Sequence, residues 1–165
     1  MKKVIIIGCP GAGKSTFARK LKEITDLPLY YLDQFFWHED KTNVAKDELD
    51  NRIKEVLTKD AWIMDGNYQR TLDLRMKEAD TIFLLDIPLE VCISHIENRI
   101  GKEREDIPFL EDEFEEEFKE YVLNFPNKML PYDLELIEKY KDTKDIVIFK
   151  TNKEADEYIK KLSCK

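Results

Sequence analysis

No window of this sequence approaches the roughly eighteen consecutive apolar residues of a membrane-spanning helix. The run Val4 to Ile7 behind Met1-Lys2-Lys3 is too short for a signal-peptide core and ends in glycine and proline, so it reads as a buried first strand. Cysteine is sparse: Cys9, Cys92 and Cys164 are widely spaced and odd in number, which fits neither a disulfide framework nor a zinc site. A reducing cytoplasm is the expected location, and no membrane partner is expected. Positive charge is in deficit as well. A formal net charge of −8 argues against strong binding to a nucleic-acid backbone, while leaving room for a local basic cleft around one phosphate group. His38 and His95 have no partner spacing for a metal or a catalytic triad. Glycine is also scarce, and three of the five glycines fall between positions 8 and 15.

What is present suits an ordinary folded chain. The 165 residues, 42% apolar and 38% charged, match one domain able to bury roughly two-thirds of its unfolded surface. Residues 1–165 are therefore expected to form a single domain, as monomer or homodimer. Apolar runs at Val4–Ile7, Thr81–Leu85 and Ile146–Phe149, with shorter ones at Leu29–Leu32 and Trp62–Met64, predict five strands. Helical patterns lie between and after them at Lys14–Thr25, Lys46–Thr58, Thr71–Glu78, Leu89–Ile100, Glu111–Lys141 (interrupted by Pro126 and Pro131) and Lys153–Leu162. This alternation predicts right-handed βαβ units: an α/β, three-layer fold with a five-stranded parallel sheet and helices on both faces.

Gly8 to Ser15 reads G-C-P-G-A-G-K-S, a G-x-x-x-x-G-K-[ST] motif between a strand and an amphipathic helix. Phosphate oxygens must be approached by backbone N–H groups without side chains in the way, which Gly8, Gly11 and Gly13 permit, with Pro10 and Ala12 as the other small loop members. Lys14 then reaches the β and γ phosphates, Ser15 offers a hydroxyl to Mg²⁺, and Thr16 lies near the α-phosphate. ATP and Mg²⁺ are the expected ligands of this P-loop. Cys9 is either a small filler or a thiol activated by the helix start.

In a parallel α/β sheet, ligands bind beyond the carboxyl ends of the strands, where Asp33, Asp65 and Asp86 fall. Asp65, before Gly66-Asn67-Tyr68, suits a metal-bound water or a substrate hydroxyl, or else a helix cap. Asp33, before Phe35-Phe36-Trp37, suits an acceptor site in which the carboxylate takes the acceptor's proton and Phe36 and Trp37 wall the pocket. The same aromatics also suit core packing. Asp86, ahead of Ile87-Pro88, reads as an N-cap or turn residue.

Phosphoryl transfer spreads negative charge that arginine forks can stabilise, and Arg70, Arg75, Arg99 and Arg104 follow downstream. Residues 99–112 carry Arg99, Arg104 and Gly101-Lys102-Glu103 without apolar periodicity, as expected of a mobile lid. Glu111 to Tyr121 holds seven acids against one lysine, with Phe114, Phe118 and Tyr121 at helical spacing. It is expected to form a helix whose acidic face turns outward.

Together, Gly8–Thr16, Leu32–Trp37, Trp62–Tyr68, Leu72–Arg75 and Ala79–Pro88 resemble the adenylate-kinase-related P-loop proteins called DNA topology modulation proteins. The resemblance spans roughly the first hundred residues and implies a kinase fold. In the wider nucleoside monophosphate kinase superfamily, the segment aligned with Asp65-Gly66 continues Phe-Pro-Arg and helps bind the acceptor nucleotide. Here Asn67, Tyr68 and Gln69 stand there, with Arg70 and Arg75 close by. The resemblance therefore implies no particular acceptor, and the DNA role in the family label has no counterpart in the charge balance. The expected activity is Mg²⁺-ATP-dependent phosphoryl transfer to a small acceptor. Lys14, Arg99 and Arg104 would carry charge, Ser15 and Asp65 would serve the metal, and Asp33, Phe36, Trp37, Gly66, Asn67, Tyr68, Arg70 and Arg75 would serve the acceptor. An ATP-ordered regulatory protein and a slow nucleoside triphosphatase are the alternatives.

Overall fold

A computed structural model describes residues 1–164 of the chain. Five parallel strands, β1 (Lys3–Gly8), β2 (Leu29–Tyr31), β3 (Trp62–Asp65), β4 (Thr81–Leu85) and β5 (Asp145–Phe149), form one sheet in the order β2-β3-β1-β4-β5. The central strands are apolar at nearly every position because both their faces are covered. Strand alternation sends Val4 and Ile6 to one side and Ile5 and Ile7 to the other, with Phe83 opposite Ile82 and Leu84 in the same way.

Helices α1 (Lys14–Thr25), α5 (Leu89–Arg99), α6 (Glu116–Lys128) and α8 (Asn152–Ser163) cover the first face. Helices α3 (Lys46–Leu57), α4 (Gln69–Glu78) and α7 (Leu130–Tyr140) cover the second. Among the described residues, no helix is long and apolar enough to cross a membrane.

Four local features differ from the sequence reading. Leu32 leaves the sheet and opens a short helix, α2 (Leu32–Phe36), because its side chain turns into the second core while Asp33 faces the cleft. The expected helix from Glu111 starts only at Glu116, since Glu111 is drawn into ion pairs with Arg99 and Arg104. The same long segment divides at Met129: Pro131, which lacks an amide hydrogen, stands at the start of α7 rather than within a continuous helix. Asp86 does not cap α5, whose N-cap is Pro88, and instead pairs with Lys150.

The first core depends on an aromatic cluster around Phe83, which is fully buried. Its ring lies 4.9 Å from Phe17, 5.4 Å from Tyr158 and 6.0 Å from Phe149. It joins β4 to β5, α1 and α8 at once. Phe83→Ala is expected to cost about 3–5 kcal/mol of unfolding free energy, read as a lower urea midpoint with unchanged slope.

Candidate active site

Strand β1 is the point where the sheet order reverses, with β3 on one side and β4 on the other, so its carboxyl end opens into a crevice. The phosphate loop fills that position. Gly8 and Gly11 have φ of 146° and 81°, and a Cβ at either would lie 2.4 Å from the Leu85 carbonyl oxygen or 2.2 Å from that of Cys92. Glycine is therefore required by both backbone angle and space. Gly13 caps α1 without any side-chain hydrogen bond, leaving the first-turn amides available to an anion. The loop is braced from outside: the Asn152 amide donates to the Ala12 carbonyl at 2.8 Å, and His95 Nδ1 lies 2.7 Å from the Gly11 carbonyl. Lys14 Nζ donates to the Cys9 carbonyl at 3.0 Å.

A second loop, between β3 and α4, is fastened to the first. The Asn67 side chain accepts from the Gly8 amide at 3.0 Å and donates to the Gly8 carbonyl at 2.8 Å. Beneath it lies Arg75, fully buried, whose guanidinium donates to the carbonyls of Gly66, Asn67 and Tyr68 and to Thr71 Oγ1. Burial lowers its pKa to about 10, still well above neutrality, so it remains a cation. Tyr68 takes the left-handed conformation, φ 37°, which places its hydroxyl 2.5 Å from Asp33 Oδ1 and its ring against Phe36.

Both loops open onto a cleft of about 1240 Å³. Its lining brings together Pro10, Gly11, Gly13, Lys14, Ser15 and Thr16 from the phosphate loop. With them are Asp33 and Phe36 from α2, Trp37 at its C-cap, Asp65 at the end of β3, and Gly66, Asn67 and Tyr68 from the loop that follows. Arg99 and Arg104 also line it. Gly8 and Ala12, expected at the nucleotide, do not line the cleft, and Ala12 is fully buried. Arg70 and Arg75 are not brought to the cleft. Arg70 is held in a bidentate pair with Asp50 at 2.7 Å, and Arg75 serves the loop carbonyls instead of a ligand.

Three carboxylates gather near Ser15 and Lys14. Ser15 Oγ donates to Asp65 Oδ2 at 2.5 Å and lies 3.1 Å from Asp106 Oδ2. Burial pushes the Asp65 carboxyl up to about 6, against the attraction of Lys14 and the Ser15 hydrogen bond, and its Oδ1 is buried without a partner. Burial also raises Asp33, opposed by the Tyr68 hydrogen bond and Lys14. Asp106 is buried too, yet the Arg104 guanidinium, 2.5 Å away, holds it below the usual carboxylate range.

Among the described residues, no three acid, histidine or cysteine side chains converge to chelate a metal unaided. Ser15 Oγ and the unpartnered Asp65 Oδ1 are hard oxygen donors, and they fit Mg²⁺, which takes few protein ligands and draws the rest from phosphate and water.

Residues 99–112 lie across this cleft. Arg104 bridges Asp106 and Glu111, and Arg99 Nε lies 3.0 Å from Glu111. On the far side Tyr31 donates to Glu105 at 2.5 Å, Lys41 pairs with Asp112 at 2.9 Å and Trp37 packs edge-on against Phe109.

No family model matches the chain. Over 88 residues it is 33% identical to the adenylate kinases of Thermotoga petrophila and Thermotoga maritima, a stretch covering 52% of this chain and 39% of theirs. It is 27% identical over 107 residues to the adenylate kinase of Thermosipho melanesiensis, covering 61% and 49%. The chain thus spans about two-fifths to half the length of the curated relatives it matches. A shikimate kinase from Acinetobacter baumannii, solved with shikimate, superposes with a TM-score of 0.61 at 16% identity over 98% of this chain and 90% of the other. A sugar kinase from Janibacter sp. HTCC2649 does so with a TM-score of 0.58 at 13% identity over 98% and 91%. The fold is that of the P-loop kinases.

Asp106 and the Gln69–Asp133 pair escaped the sequence reading. Asp106 sits in Glu105-Asp106-Ile107, which reads as solvated charge, yet it is 4% exposed. Gln69 Nε2 donates to Asp133 Oδ1 and the Met129 carbonyl, both at 2.7 Å, joining the β3–α4 loop to the α6–α7 break. No local pattern announces either contact. The acidic segment also differs from expectation: Glu113, Glu115 and Glu117 edge the cleft rather than an outer face.

Asp65 has a testable cost. Its carboxyl titrates near 6 when folded and near 4 when unfolded. The folded chain therefore holds the extra proton between these values, and stability falls as pH rises through that window. Asp65→Asn is expected to raise unfolding free energy at neutral pH by up to roughly 3 kcal/mol, the gain vanishing near pH 4. Urea titrations of both proteins at the two pH values measure it, and a gain of equal size at both would contradict this account.

Proposed function

We propose that the chain is an ATP-dependent phosphotransferase acting on a small hydroxylated acceptor. The observation that carries this reading is one cleft holding a complete phosphate loop, a buried carboxylate with a free oxygen beside the loop serine, and a second carboxylate set in an aromatic wall. Low-identity adenylate kinase relatives and the P-loop kinase fold support it. The Leu32–Trp37 and Asp65–Tyr68 segments support a finer assignment to the topology modulation proteins. We read the chain as a single cytoplasmic domain in which residues 99–112 act as the lid.

In this mechanism the first-turn amides of α1 and Lys14 hold the β and γ phosphates of ATP. Ser15 and Asp65 would hold Mg²⁺, which when bound would supply positive charge to neutralise the phosphates. Asp33 orients the acceptor hydroxyl and takes its proton as the oxygen bonds to the γ-phosphorus, while the bond to the β–γ bridging oxygen breaks and ADP leaves with that electron pair. Tyr68, donating to Asp33 Oδ1, fixes the carboxylate so that its other oxygen faces the acceptor. Arg99 and Arg104 set positive charge over the transferring group, and the lid that carries them excludes water.

Lys14→Ala is expected to lower turnover on the order of 100-fold or more, measured as ADP formed with phosphorylated acceptor. Asp33→Asn should cost on the order of 10² to 10⁴-fold. Because burial raises Asp33, kcat/KM of the unsubstituted enzyme should climb with pH above the usual carboxylate range, and this limb should be missing in Asp33→Asn. Undiminished turnover in Lys14→Ala would refute the assignment.

A further inference from the structure

A phosphotransferase cleft must match the charge of what it phosphorylates, and here most of the cations that line or flank it are already committed to other groups. Arg104 is shared between Asp106 and Glu111, and Arg99 is held by Glu111. Lys41 sits between Asp112 at 2.9 Å and Glu115 at 3.8 Å. The two arginines next to the β3–α4 loop are spent elsewhere, Arg70 on Asp50 and Arg75 on the carbonyls beneath the loop. Arg19, on α1, lies 3.6 Å from Glu105. Two lysines of the lining lack an ion-pair partner among the described residues. Lys14 belongs to the phosphate loop, and exposed Lys102 lies between Arg99 and Arg104 in the 99–112 segment.

The carboxylates are not balanced in the same way. Asp33 receives one hydrogen bond, from Tyr68, among the described residues, and Asp65 Oδ1 is buried with none. Glu113 and Glu117, without an ion pair among the described residues, add negative charge at the rim. Releasing Arg104 to a ligand would strand Asp106 and Glu111, which are 6% and 14% exposed at their side chains. Breaking one side of a buried pair in this way is strongly unfavourable. What the acceptor side does offer is a set of aromatic faces: Trp37 stands edge-on to Phe36 at 4.8 Å and to Phe109 at 5.7 Å, with Tyr68 against Phe36.

We infer that the phosphoryl acceptor is a hydroxylated molecule carrying no phosphate or carboxylate, lying with a ring face on the Phe36–Trp37–Phe109 wall and its reacting hydroxyl at Asp33. Nucleosides, cyclic sugars and other cyclic alcohols have this chemistry; nucleoside monophosphates, sugar phosphates and cyclic hydroxy acids do not. The inference rests on the kinase reading and adds the acceptor's charge class to it. The transfer balances as before: the acceptor oxygen bonds to the γ-phosphorus, its proton goes to Asp33 and ADP departs with the bridging electron pair.

The test uses the full chain with ATP and Mg²⁺ and two pools matched for their hydroxylated frameworks. One holds nucleosides, cyclic sugars and other cyclic alcohols, the other nucleoside monophosphates, sugar phosphates and cyclic hydroxy acids. Each product is read by mass spectrometry as the gain of one phosphate, and kcat/KM is then measured for each phosphorylated compound and its matched partner. The expected result is a product from the first pool, favoured at least about tenfold over its anionic counterpart, because like charge set against like charge is costly in a desolvated site. An anionic acceptor used equally well or better would overturn the inference and leave the kinase reading standing. ATP left intact, or hydrolysed with no phosphorylated product from either pool, would overturn both.

Discussion

The Asn67 side chain, paired at both its ends with the backbone of Gly8, is the constraint from which the rest of the cleft follows. Gly8 ends the central strand and begins the phosphate loop, while Asn67 lies in the turn that carries Asp65 and Tyr68. Two hydrogen bonds therefore set the distance between the phosphate loop and the turn that carries Asp65 and Tyr68. Neither loop has regular structure to hold it, so backbone groups that would otherwise lack partners are satisfied by side chains from elsewhere. Arg75 performs this service for the acceptor turn and Asn152 for the phosphate loop. The arginine is placed where a ligand cannot reach it because its charge is needed to hold converging carbonyl oxygens in a dry interior.

Electrostatics explain why the cleft is polarised. Beside the phosphate loop stand α1 amides without a side-chain cap and a lysine with no ion-pair partner among the described residues. Toward Asp33 and the aromatic wall, desolvation raises the carboxyl and Lys41 is held in an ion pair. On the proposed reading, a polyanion would be drawn to the first region and discouraged from the second, so two substrates of different charge would sort themselves by field before any specific contact formed. Asp106 departs from the trend because Arg104 travels with it on the same short segment.

Much of the architecture was legible in the sequence because buried parallel strands leave continuous apolar runs, and β1, β4 and α1 begin and end within a residue or so of where the pattern places them. The phosphate loop was equally plain, since glycines at fixed spacing before Lys-Ser have a local backbone cause. What failed to show depended on contacts between distant segments. The helix Leu32–Phe36 is too short to display a period. Arg75 looks the same in sequence whether it holds a ligand or a loop, and only the carbonyls of Gly66 to Tyr68 decide the matter. Asp106 resembles its solvated neighbours until Ser15 and Arg104 are brought beside it. The acidic run at 111–121 reads as one helical face, but Glu111 is diverted to two arginines and the chain turns inward before α6 can start.

Glu105 and Asp106 are consecutive residues, yet they are held by two different elements. Tyr31, at the end of β2, grips the first, and Ser15 of the phosphate loop touches the second. A peptide unit anchored at both ends cannot move for one substrate without being felt by the other. On the proposed reading, by thermodynamic reciprocity, whatever factor ATP added to the affinity for an acceptor, the acceptor would return to ATP. This backbone link would couple the two in addition to the Asn67–Gly8 pair beneath it.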